Sequence, residues 1–183
     1  MKLFKTKNSS KGFTLIELLI VIAVLGILAA VVLVAIDPLE QLARGRDAGR
    51  KTAVGQIGHA LQAYYTAREG IGYVSTSGNY QTDLFNAGEL KTVATNPNYS
   101  AIGAASAGCA AGAATQGTYC YQVFASGSNQ EAIVYARLES KVENNKCPVG
   151  SAAWYVWTSN LGRAGGLCTG GAGPSATVAS LDF

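Results

Sequence analysis

Histidine occurs once, at residue 59, proline four times, and charged residues make up only 14% of the 183-residue chain. A lone histidine argues against the multi-histidine sets that hold catalytic zinc. His59 therefore reads as a surface or inter-subunit position on a helix. No G-x-S-x-G nucleophile turn is present, and the glycine-rich stretches 103–117 and 162–173 lack the G-K-S/T that completes a phosphate loop. The four cysteines form no C-x-x-C pair, which argues against a zinc site, and the loop acids Asp83, Glu89 and Asp182 are too scattered for a calcium site. The expectation is a protein that is not an enzyme and holds neither metal nor cofactor.

What the chain has instead is a long apolar run. Phe13–Ile36 is 24 residues interrupted only by Thr14, Glu17 and Gly26. As a helix it rises about 36 Å, enough to cross a hydrocarbon core of roughly 30 Å, and it is apolar on every face. Lys2, Lys5, Lys7 and Lys11 precede it with no acid among them, so the positive-inside bias keeps the amino terminus cytoplasmic and sends the residues after Asp37 outward. A cleaved secretory signal fits poorly, because its apolar region is roughly 7 to 15 residues and does not carry an acid near its start. A plain membrane anchor satisfies the length but leaves Glu17 without a role, and an ionisable group inside a span needs a partner.

The segment Gly12-Phe13-Thr14-Leu15-Ile16-Glu17, followed by the apolar stretch Leu18–Ala30, resembles the class III signal of type IV pilins and of the related pseudopilins of type II secretion and competence systems. The resemblance implies cleavage between Gly12 and Phe13 by a membrane prepilin peptidase/methyltransferase, N-methylation of Phe13, and retention of the apolar helix in the mature subunit. It further implies a precursor in the inner (cytoplasmic) membrane, an inner-membrane assembly machinery, and identical subunits polymerised into an extracellular helical filament. Glu17 then acquires a partner. In a water-poor filament core, its carboxylate and the Phe13 amine of a neighbouring subunit neutralise one another, an attraction of about 4 kcal/mol at about 4 Å and an effective dielectric of 20. A subunit in the wrong axial register strands both charges. The alternatives are a pseudopilin and a membrane-anchored binding protein that never polymerises.

Loss of the four leader lysines leaves 10 basic against 11 acidic residues, a net charge of −1, so the +3 of the whole chain belongs to its leader. Nucleic acid is an unlikely partner on that balance. The basic cluster Arg44–Lys51 also reads as a solvated, internally paired face, Glu40 with Arg44 and Asp47 with Lys51. All four cysteines, Cys109, Cys120, Cys147 and Cys168, follow the span on the oxidising side and read as two disulfides. Short loops close most readily, which favours Cys109–Cys120 with Cys147–Cys168 over the other two pairings. The second bridge would close an exposed loop similar to the cysteine-closed carboxy-terminal loop of many pilins.

The expected organisation is a leader (1–12), a membrane and filament-core helix (13–36), an amphipathic continuation (37–68) and a globular head (69–183). Asp37-Pro38-Leu39-Glu40 has the pattern of a fresh helix start, so a break is expected at Ile36–Asp37. Leu39, Leu42, Ala53 or Val54, Ile57, Leu61 and Tyr64 or Tyr65 then recur at helical spacing to about Arg68, a stripe able to cover a sheet. Gly45, Gly49, Gly55 and Gly58 weaken that helix, and close packing between filament neighbours or local flexibility would account for them. A short helix is expected near Asp83–Lys91, then strands at Thr118–Ala125, Ala132–Glu139 and Trp154–Thr158, with a turn at Ser126–Asn129. The fold class is α+β and pilin-like: a long amino-terminal helix packed on a small antiparallel meander of three or four strands.

Overall fold

The structure, a computed structural model, describes residues 12–95, 109–110, 112–126, 129–170, 173–174 and 178–183. The chain divides into two compact units, Met1–Pro38 and Leu39–Phe183.

Among the described residues of the first unit the regular element is a helix, α1 (Leu15–Ala35). Thr14 caps it in an extended conformation, and it ends where Ile36 leaves helical geometry at φ −104° and ψ 106°. No residue of α1 is buried.

The second unit opens with α2 (Pro38–Ala67), followed by α3 (Tyr80–Asn86), β1 (Ala114–Gln116), β2 (Tyr119–Ser126), β3 (Asn129–Arg137), α4 (Lys141–Asn144), β4 (Ala152–Thr158) and β5 (Arg163–Thr169). The five strands lie in chain order and every neighbouring pair is antiparallel. The fold is thus α+β, a long helix and a five-stranded meander. Two of the strands, β1 and β5, lie outside the three expected runs, and α3 sits a few residues before the expected helix. Residues 127–128 of the expected turn lie outside the described residues.

Strand alternation builds two cores. Tyr119, Tyr121, Val134, Ala136 and Trp157 project to one face and join Val54, Ile57, Ala60 and Leu61 of α2 with Tyr80 and Leu84 of α3. Cys120, Ile133, Tyr135, Trp154 and Val156 project to the other, where Ala110 and Val178 are buried and Leu181 packs against them. Because both faces are covered, β4 reads as almost continuously buried rather than alternating. Each fully buried Ile, Leu or Val side chain contributes about 1.5 to 3 kcal/mol.

The expected stripe of α2 needs correction in its first three turns. Leu39 and Leu42 are 72% and 59% exposed, and Glu40, Ala43, Asp47 and Arg50 take the buried face that Val54, Ile57 and Leu61 continue. Gly58 also has a reason inside the subunit: a β-carbon there would come within 2.2 Å of the Trp157 indole. Nothing lies within 4 Å of a β-carbon at Gly45, Gly49 or Gly55, and nothing in the fold explains those three.

Candidate assembly site in the amino-terminal helix

Gly12 and Phe13 precede the helix without regular structure, and Phe13 is 89% exposed. Thr14 and Glu17 then close a capping box. The Thr14 hydroxyl oxygen accepts from the Glu17 N–H (3.3 Å), and Glu17 Oε2 accepts from the Thr14 N–H (2.9 Å) and from the Thr14 hydroxyl (2.8 Å). These bonds satisfy donors that the first helical turn leaves open, and they hold the carboxylate beside the helix start. The expectation that a plain anchor leaves Glu17 without a role is corrected by this geometry. T-x-x-E is a sequence signature of a helix start, and it was available at Thr14–Glu17 alongside the apolar run.

From Leu15 to Val34 the large side chains Leu, Ile and Val are all half-exposed or more, and the helix is long and apolar enough to cross a membrane. In water such a surface is costly, and lipid or other apolar helices would cover it.

The cysteines lie in the head, where Cys109 is bonded to Cys120 and Cys147 to Cys168. The first bridge holds residues beside Ala110 over the sheet face that Tyr135 and Trp154 occupy. The second ties the start of the segment after α4 to β5, which lies within the stretch expected to be a glycine-rich loop. In β5, Gly165 and Gly166 leave room for Leu181 and Phe183, whose atoms a β-carbon would meet at 2.7 and 2.1 Å.

The basic cluster of α2 is not a solvated face. Arg50 is completely buried and donates to Asp47 Oδ1 at 2.8 Å and to Glu139 Oε1 at 2.9 Å, while Arg46 pairs with the same Glu139 oxygen. Asp47 also accepts from the backbone N–H groups of Glu139 and Ser140. Glu40 accepts from those of Lys141 and Val142. Lys51 reaches Glu143 at 2.6 Å rather than Asp47, whereas the expected Glu40–Arg44 pair is present at 3.2 Å. Two carboxylates seven residues apart on one face of α2 thus bind the backbone leading from β3 into α4. The Lys141 N–H holds the Glu40 carboxyl below its ordinary range, against a smaller opposing effect of desolvation. For Glu143 burial pushes upward, but its bonds to Lys146 and Lys51 outweigh it and the net shift is downward.

The remaining residues weighed for chemistry are dispersed. His59 is exposed and faces an open groove of about 640 Å³ that Glu89 and Lys91 also line. Asp83 accepts from Ser77, and Asp182 from the N–H of Cys168. Among the described residues no three His, Cys, Asp or Glu side chains converge on a point.

The motif described as the prokaryotic N-terminal methylation motif matches residues 7–33. The chain carries a type IV prepilin signal. It is also 40% identical over 102 residues to the type IV major alpha-pilin of Moraxella bovis, a match covering 49% of this chain and 64% of that protein. Fimbrial protein Q of Moraxella bovis is likewise 40% identical, over 90 residues, 43% of this chain and 57% of the relative. The chain therefore spans somewhat under two thirds of the length of these curated relatives. No solved structure matches it. The prepilin signal ends two residues before α1 does, so the signal and the open apolar helix are one segment.

Proposed function

We propose that this chain is the precursor of a structural subunit of an extracellular type IV pilus and acts by polymerising rather than by catalysis. The observation that carries this reading is the coincidence, on one segment, of the methylation motif with an apolar helix that buries none of its residues in its own fold. The names of both relatives, a fimbrial protein and a major pilin, favour a pilus over a secretion pseudopilin. In the precursor, α1 spans the inner membrane with the four lysines on the cytoplasmic side. A prepilin peptidase cuts between Gly12 and Phe13, and the new amino group is methylated. Identical subunits then exchange lipid for one another around α1. Glu17, already fixed by Thr14, meets the Phe13 amine of a neighbour, and the pair sets axial register.

Intact-mass measurement of the subunit sheared from cells tests this. The expected mass lacks residues 1–12 and carries one added methyl group; a chain that keeps its four lysines contradicts the reading. Gly12→Val is expected to block cleavage, because the peptidase must accommodate a residue with almost no side chain before the scissile bond.

A further inference from the structure

The turn that ends α2 places a glutamate where glycine is the usual choice. The Glu69 N–H donates to the Thr66 carbonyl at 3.2 Å and the Gly70 N–H to that of Tyr65 at 3.0 Å, the paired bonds of a helix end whose reversing residue is left-handed. That residue is Glu69, at φ +55°, a conformation in which a β-carbon is strained. Its carboxylate makes no hydrogen bond or ion pair among the described residues, so no partner inside the subunit accounts for it. Strained positions of this kind gather where a residue serves a site. Two residues on, Ile71 is 83% exposed, although its N–H is bonded to the Arg68 carbonyl and the rings of Tyr65 and Tyr73 stack at 4.6 Å on either side of the turn in sequence. An apolar side chain is thus presented on a tied turn beside charges of both signs, Arg68 and Glu69. The exposed Leu42, Val142 and Val149 lack such neighbours, because Arg44 is paired with Glu40, and Lys146 and Lys51 with Glu143.

The groove of about 640 Å³ between α2 and the segment after α3 has the matching character. Ala60, Ala63 and Leu90 give it an apolar floor, and Glu89 and Lys91 line it on either side of Leu90 in the chain. Neither charge has a side-chain partner among the described residues.

We propose that the Arg68–Ile71 turn of one subunit docks in this groove of a second copy, with Ile71 on the apolar floor, Glu69 against Lys91 and Arg68 against Glu89. The proposal rests on the reading of the chain as a pilus subunit. Turn and groove are different patches of one surface, so the contact is heterologous and repeats from copy to copy, as an open helical polymer requires. Opposite charges on both sides of the apolar contact fix its direction, since a turn docked the other way round meets like charges. A turn already tied by its own backbone bonds loses little freedom on docking.

The test uses cells making the full chain, with filament yield normalised to the processed subunit in the membrane so that misfolded or uncut chains do not enter the comparison. Glu69→Lys and Lys91→Glu each set like charges against one another and are expected to lower the yield about tenfold or more, while the two together restore the pair and the yield. Glu69→Gly relieves the left-handed residue. It is expected to keep or raise the thermal unfolding midpoint of the subunit in detergent and yet lower filament yield about two- to fivefold, a separation that a purely structural residue would not give. Photoreactive p-benzoylphenylalanine at position 71 is expected to give subunit dimers in intact filaments, its adduct lying in a peptide that holds residues 56–63 or 89–92. Wild-type yield from any of the three single variants, a double variant no better than its singles, a lowered midpoint for Glu69→Gly, or an adduct elsewhere overturns the proposal. Wild-type filaments that give no dimer from position 71 overturn it too and leave the pilus reading intact. Absence of filaments from the wild type defeats that reading, and the proposal falls with it.

Discussion

The Trp157 indole occupies the space into which a side chain at Gly58 would project, with its nearest ring carbon 2.2 Å from the position of a β-carbon. This contact sets how closely α2 lies on β4. Gly58→Ala gains about 1 kcal/mol of helix propensity but forces a buried, rigid ring aside, and overpacking costs about 1 to 3 kcal/mol or more. A net loss of stability is expected. Gly55→Ala, where nothing lies within 4 Å, is expected to gain about 0.5 to 1 kcal/mol instead. Thermal unfolding of the two variants in detergent checks both signs.

Arg50→Met removes the donor shared by Asp47 and Glu139 and leaves their carboxylates buried together. Breaking a buried pair in this way costs about 3 to 5 kcal/mol. A urea midpoint within error of wild type would show that Arg46 alone neutralises Glu139.

The apolar span, the break after Ala35 and the course of α2 were legible in sequence because each rests on long periodic runs or strong capping residues. The buried polar face of α2 was not. Glu40–Arg44 and Asp47–Lys51 at four-residue spacing have the same pattern as a solvated helix, and only the path of the distant Glu139–Val142 backbone turns them inward. The i,i+7 relation of Glu40 and Asp47 was the signal that the two share a face. β5 was hidden for a related reason. Gly165 and Gly166 erase its strand pattern, yet they are there to admit Leu181 and Phe183. Glu17 was legible as an anomaly in a span, while its bond to Thr14 belonged to a local capping pattern.

Acid is expected to loosen the junction between α2 and α4. The Glu40 carboxyl titrates below its ordinary value of 4.5 when folded, so the unfolded chain binds the proton first as pH falls. The stabilisation is present above the unfolded pKa and is lost as pH drops through the folded one. Glu143 shifts in the same direction. Unfolding midpoints from pH 7 to pH 3 check this: Glu40→Gln should be less stable than wild type at neutral pH and lose less on acidification. Parallel curves for the two proteins would contradict the assignment.

Cys147→Ser frees Cys168 while Cys109–Cys120, in the core that holds Tyr135 and Trp154, stays closed. Loss of a native bridge costs about 2 to 5 kcal/mol, and a loop of this size accounts for roughly 3 in the chain-entropy model. The variant should be cut at Gly12 yet yield fewer or more fragile filaments, counted by electron microscopy. Non-reducing peptide mapping of the wild type should recover the two sequential pairs. A Cys109–Cys168 or Cys120–Cys147 peptide would refute them.

The Thr14–Glu17 cap and the proposed inter-subunit pair make different demands on position 17, and that difference isolates the central claim. A glutamine can still accept from the Thr14 N–H, so Glu17→Gln keeps the helix start but removes the charge. The decisive measurement is filament yield from cells making Glu17→Gln, normalised to the processed subunit in the membrane. The account predicts a subunit that is inserted and cut after Gly12 yet scarcely enters filaments, because the Phe13 amine of each neighbour is left without its counter-charge. Wild-type yield from this variant would contradict it, and would leave Glu17 as a capping residue and nothing more.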